Sequence, residues 1–287
     1  MEEKQRISII NLILIIMLVV CLVMGGLLII LAKNKAEIIG RRGEKIKNNY
    51  ATEETSGQQW DISATENDHV IATLSSDGEL TISGTGDMKD WNYSDTTDWH
   101  GMKNQVITVI IENGITSIGS EAFCSCKGLT SIEIPSSVTI IGSGAFRGCS
   151  NLTIIENLSG VTSIGISAFS NCSSLTSIKV NENNINFTDE DGVLYTKDKA
   201  TIVQYPAGKE ETQYTILNCV TSIREYAFCK CDNLTSIEIP SGVTSIMSSA
   251  FSGCSNLTSI EIPSGVTNIL KYTFYQCSSL TSVEIPN

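Results

Sequence analysis

Histidine is almost missing from this 287-residue chain, which has only His69 and His100. Neither has a second metal ligand or a base near it in the sequence. Histidine-centred metal sites and nucleophile–base pairs therefore have nothing to build on. Basic residues are also scarce. Of 19 Lys and Arg, eight fall in the first 47 residues, beside four Asp and Glu. The rest holds 11 basic and 27 acidic residues, a net charge of −16. Such a body repels nucleic acid and anionic headgroups, which removes nucleic acid as a partner. No phosphate-cradling loop is present, and Asp189-Glu190-Asp191-Gly192 lacks the spacing and the closing Glu of a calcium loop. With no catalytic constellation and no cofactor motif, the chain does not read as an enzyme. Proline occurs five times, at 135, 206, 240, 263 and 286, and tryptophan three times, at 60, 91 and 99.

What is present is a repeat. Phe123, Phe146 and Phe169 lie 23 residues apart, as do Phe228, Phe251 and Phe274. Three residues after each comes a cysteine (Cys126, Cys149, Cys172, Cys231, Cys254, Cys277), and three after that a leucine (Leu129, Leu152, Leu175, Leu234, Leu257, Leu280). A fixed period of this length predicts a solenoid, in which each unit buries its apolar residues against its neighbours. Leu-Thr-Ser-Ile-Glu-Ile alternates and ends at proline, so it is a strand with a hard stop. Val-Thr-Ser-Ile-Gly is a second short strand, and Ser-Glu-Ala-Phe-Cys-Ser-Cys is expected to form one turn of helix.

The recurring Ile-Pro-Ser, Ile-Gly, Ala-Phe and Cys-x-x-Leu-Thr-Ser-Ile resemble the BspA-type leucine-rich repeat, over residues 106–287. The preceding ATLSSDGELTISGTGDMKDW is similar to the leader of such repeats. The resemblance implies a leucine-rich-repeat solenoid of mainly parallel β coils, and adhesion or host contact at a cell surface. The positions after the strand, Ser137, Gly160, Gly242 and Gly265, depart from the commoner leucine-rich consensus. Horseshoe curvature is therefore not expected.

Residues 7–32 are an uncharged apolar run longer than the ~20 residues that span a bilayer. They read as an N-terminal transmembrane helix. A cleaved signal peptide with a small-residue site near Ala36 and a lipoprotein box ending at Cys21 are the rival readings. Lys4 and Arg6 precede the run, whereas Lys33, Lys35, Arg41, Arg42, Lys45 and Lys47 follow it. The positive-inside rule places the repeats in the cytosol, and the resemblance places them outside. The organisation expected is a tail (1–6), an anchor (7–32), a polar stalk (33–59), a small β cap (60–105) cored by the tryptophans, and the solenoid (106–287). Within the cap, Val70–Leu74 and Leu80–Ser83 read as a hairpin turning at Ser76-Asp77-Gly78, and Val106–Ile111 as the first solenoid strand.

A hairpin insertion is expected at 181–199, with Phe187 and Val193-Leu194-Tyr195 on its two arms. After it, ATIVQYPAG aligns with LTSIEIPSG, and YTILNCVTSI with SIEIPSGVTSI, so the coil reads as stretched and decorated without interruption. The cysteine column reads as buried free thiols, the extra Cys124 and Cys229 as drift, and Cys219 as the exposed, reactive thiol. On the strands, Glu133, Glu156, Glu238, Glu261 and Glu284 share one outward position, with Lys179 and Gln204 between them. The candidate partner-binding face is Ser131, Glu133, Glu156, Lys179, Ser236, Glu238, Ser259, Glu261 and Glu284, with the Phe187–Tyr195 hairpin beside it. Its expected partner is an extracellular or host protein; a solvated face on a structural spacer or fragment is the alternative. The final Val283-Glu284-Ile285-Pro286-Asn287 carries no capping unit, which predicts end-to-end association.

Overall fold

A computed structural model describes residues 57–284, apart from residues 93 and 95–97. The expected anchor and most of the stalk lie outside the described residues. Among the described residues no helix is long and apolar enough to cross a membrane.

Each 23-residue unit closes into one coil, because its two short strands bury alternate side chains and pair with the next coil in parallel. One column, the first sheet, contains Ser131–Glu133, Ile154–Glu156 and Ser177–Ile178, then Gln213–Thr215, Ser236–Glu238, Ser259–Glu261 and Ser282–Glu284. The second sheet contains Ile115–Ile118, Ile140–Ile141 and Ser163–Ile164, then Thr201–Gln204, Ser222–Ile223 and Ser245–Ile246. Threonine reinforces both columns. Its hydroxyl donates to the carbonyl of the threonine one coil earlier, as from Thr153 to Thr130 at 3.0 Å and from Thr162 to Thr139 at 3.1 Å.

The corner between the strands is not the expected helical turn. Two residues of every corner are left-handed: Glu121 and Ser125, Gly144 and Gly148, Ser167 and Asn171, Tyr226 and Lys230, Ser249 and Gly253, Tyr272 and Gln276. This alternation frees every second amide to point along the stack. Glu121, Phe123 and Ser125 donate to the carbonyls of Ser143, Ala145 and Arg147 of the next coil at 2.7–2.9 Å. A helical turn would have kept those amides within the unit. Among the described residues the one helix is the 3₁₀ segment Asp98–Gln105, in the cap.

The phenylalanines stack down the core at 5.3 Å (Phe123–Phe146) and 5.8 Å (Phe146–Phe169). The cap strands Gln58–Asp61, His69–Leu74 and Glu79–Asp87 pair antiparallel, and the last also pairs in parallel with Thr108–Ile111 and Ile115–Ile118. Trp99 extends the phenylalanine stack into the cap, 6.3 Å from Phe123 and 4.8 Å from Trp91, and both indoles are buried. The tryptophans are thus packing residues of the cap.

The insertion interrupts the stack. Its hairpin, Phe187–Glu190 and Val193–Thr196, turns at Asp191-Gly192, and Val193–Thr196 then pairs antiparallel with Thr201–Gln204. Phe187, Leu194 and Val203 belong to the N-terminal core, while Val193, Tyr195, Ile202 and Tyr205 belong to the C-terminal core. Strand alternation thus turns an expected decoration into a partition with apolar faces on both sides. No strand pairing joins Ser163–Ile164 to Thr201–Gln204, nor Ser177–Ile178 to Gln213–Thr215. Tyr205 starts the second aromatic stack, 5.3 Å from Phe228, so the proposed alignment of ATIVQYPAG with LTSIEIPSG is wrong. The other alignment holds: Tyr214 lies opposite Ile237 and Thr215 opposite Glu238.

Candidate partner-binding face

Alternation along the first sheet decides what each strand offers. Ile132, Ile155, Ile178, Ile237 and Ile260 are buried, so the residues on either side of them turn outward. Glu133, Glu156, Glu238, Glu261 and Glu284 are all exposed, and Glu133 lies opposite Glu156, as Glu261 lies opposite Glu284. Ser131, Ser236 and Ser259 form the neighbouring column, exposed or half-buried. With strands ~4.8 Å apart, like charges in register cost roughly 0.2–1 kcal/mol per pair.

The column is not continuous. Lys179 is exposed but turned to the hairpin, where its Nζ lies 3.2 Å from Asp189 Oδ2. The hairpin tip sits against Ser177, with the Ile178 amide donating to Gly192 O at 2.9 Å. Gly192 has φ +78°, and a Cβ there would come within 2.5 Å of Ser177 Oγ, so only glycine fits this turn. Gln204 is not in the column at all. It belongs to the second sheet and is buried, its amide donating to Tyr205 O and Ala227 O. Thr215 takes the expected place, donating its hydroxyl to Glu238 Oε2 at 3.0 Å. The face therefore reads Glu-Glu, a Lys179–Asp189 pair, Thr215, and Glu-Glu-Glu.

The cysteine column does other work. Cys149, Cys172, Cys254 and Cys277 donate their thiols to the carbonyls of Phe123, Phe146, Phe228 and Phe251, each 26 residues earlier, at 3.0–3.1 Å. All described cysteines are free thiols. Burial pushes Cys126 and Cys172 up to about 12 from the ordinary 9.0, and Cys229 and Cys277 up to about 11. Such thiols are poor nucleophiles and poor ligands. Cys124 and Cys229 are buried as well, so both cysteines of each Cys-x-Cys pair are buried. Among the described residues no group of three or more His, Cys, Asp or Glu is placed to hold a metal ion.

A 23-residue coil with parallel strands, an aromatic stack and an Ile-Pro strand stop matches one known repeat. The sequence matches the BspA type leucine-rich repeat region in six copies, over residues 102–202 and 207–287. The chain belongs to this family. It is similar to a leucine-rich repeat protein from Eubacterium ventriosum, with 29% identity, a TM-score of 0.54, and coverage of 80% of this chain and 72% of that one. It is also similar to a leucine rich cell surface protein from Faecalibacterium prausnitzii, with 21% identity, a TM-score of 0.41, and coverage of 81% and 96%. No protein with a curated description matches it. A leucine-rich-repeat solenoid of this kind is typically a binding scaffold.

Proposed function

We propose that this BspA-type protein is membrane-tethered, displays its repeats outside the cell, and binds an extracellular or host protein through the glutamate face. The observation that carries the reading is the two in-register groups of exposed glutamates, flanked by serines, one on each half of the first sheet. A basic partner segment lying along the column would relieve the repulsion between neighbouring carboxylates and add charge-assisted hydrogen bonds. Family membership supports protein binding in general, and the apolar run at 7–32 supports tethering.

The test is adhesion of cells bearing the full chain to immobilised extracellular-matrix protein. Glu238→Lys together with Glu261→Lys should weaken binding at least about ten-fold, and the wild-type interaction should weaken as salt rises. Unchanged adhesion would leave the solenoid as a spacer with a solvated face.

A further inference from the structure

The break in the second sheet leaves an opening. In regular coils the carbonyls of one strand accept amides from the next. Thr116 O takes Thr139 N at 2.8 Å and Thr139 O takes Thr162 N at 2.8 Å, while Ile118 O takes Gly142 N and Ile141 O takes Gly165 N. At Ser163–Ile164 the series stops, because the hairpin has drawn Thr201–Gln204 into pairing with its own arm. Among the described residues nothing donates to Thr162 O. Ile164 O is met by a side chain instead, Arg224 Nη2 at 2.6 Å.

Arg224 is half-buried, and that burial holds its pKa below the ordinary arginine value. Among the described residues it forms no ion pair with a carboxylate. A guanidinium has five N–H donors, and the contact with Ile164 O engages only one of its terminal nitrogens. It borders a cleft of about 410 Å³. Buried Phe187, Val203 and Ile164 supply the apolar lining, and exposed Thr162, Ser163 and Asn186 supply the rim. The volume falls in the range of ligand sites.

We infer that this cleft binds an extended peptide segment of a protein partner, which adds a strand beside Ser163–Ile164 and places a carboxylate on Arg224. The free Thr162 carbonyl accepts a peptide amide, as in other strand additions to a sheet edge. The guanidinium selects the acidic side chain, and its charge is opposite to that of the rest of this acidic solenoid. This site lies on the second sheet and is independent of the glutamate face.

The probe is a fluorescein-labelled, end-blocked hexapeptide of sequence Thr-Val-Glu-Val-Thr-Val, titrated with the full chain in detergent and followed by anisotropy. Saturable binding is expected. It should weaken about ten-fold or more when the peptide Glu is replaced by Gln, and likewise in Arg224→Met. Because Arg224→Met also removes the bond to Ile164 O, Asn186→Trp serves as the second variant. It fills the mouth of the cleft and removes no side-chain hydrogen bond, and it should abolish binding. Equal binding of the Glu and Gln peptides, unchanged affinity in Asn186→Trp, or no saturable binding at millimolar peptide would each overturn the proposal.

Discussion

The cysteine three residues after each phenylalanine packs as a small apolar residue, and four of them, Cys149, Cys172, Cys254 and Cys277, also tie one coil to the one before it. Their thiols donate to the phenylalanine carbonyl 26 residues earlier, a bond that sequence spacing does not show because it crosses coils. Burial raises these thiols, so the unfolded chain ionises first as pH rises. Stability conferred by the column is complete below the ordinary thiol value of 9.0 and is lost between about 9 and about 12. The slope is up to about 1.4 kcal/mol per thiol per pH unit. Urea midpoints at pH 8 and pH 10.5 should show this fall, and Cys172→Ala should make it shallower; an unchanged slope would remove the thiols as its source. Iodoacetamide at pH 8 should modify exposed Cys219 first among residues 124–277, as mass spectrometry would read. The corners allow a second residue-level prediction. Gln276 is exposed at φ 57°, where sister coils carry Gly148 and Gly253, and a left-handed non-glycine costs roughly 1–2 kcal/mol. Gln276→Gly should therefore stabilise the C-terminal half by about 1 kcal/mol, and a lower midpoint would contradict the corner geometry.

Strands were the most legible elements, because alternation and proline stops state them directly. The two arms of the expected cap hairpin, the solenoid strands and the inserted hairpin fall where the apolar pattern places them, whereas the cap strand Gln58–Asp61 begins inside the expected stalk, because Gln58 and Gln59 pair with Leu74 and Thr73 through their backbone and carry no apolar signal. The corner was misread because Ser-Glu-Ala-Phe-Cys has good helical composition. What decides its conformation is the supply of hydrogen-bond acceptors on the next coil, and a single unit does not reveal that. The insertion was misread for a related reason. Val193-Leu194-Tyr195 alternates like any strand, yet all three side chains are buried, since each face meets a different core. Gln204 was placed on the acidic face by an alignment shifted by one strand, whereas Thr215 holds that position. If the hairpin is a partition, Leu194→Ala opens a cavity in the N-terminal core alone and should cost about 2–5 kcal/mol there. Tryptophan fluorescence reports only that half, because all three indoles lie at 60–99. It should lose structure at lower urea than far-UV circular dichroism, which follows both halves. Coincident transitions in Leu194→Ala would show that the stack folds as a single block.

At the scale of the whole molecule, two half-solenoids share one hairpin, and the acidic face follows that division: Glu133 and Glu156 on one half, Glu238, Glu261 and Glu284 on the other. A partner long enough to reach both groups must pass the Lys179–Asp189 pair, so it meets two acidic patches separated by a neutral step. The candidate face was legible in the sequence because outward strand positions repeat at 23 residues. Its interruption was not, because the hairpin tip that covers Ser177 reaches the first sheet only through the fold. Display of the repeats outside the cell on a tether is tested most directly by protease shaving of intact cells that express the full chain. Digestion of the 57–284 solenoid on intact cells, with the N-terminal segment left in the membrane fraction, is the predicted result. Repeats that stay protected until the cells are lysed would contradict it and place the binding face in the cytosol, as the lysines and arginines after residue 32 would have it.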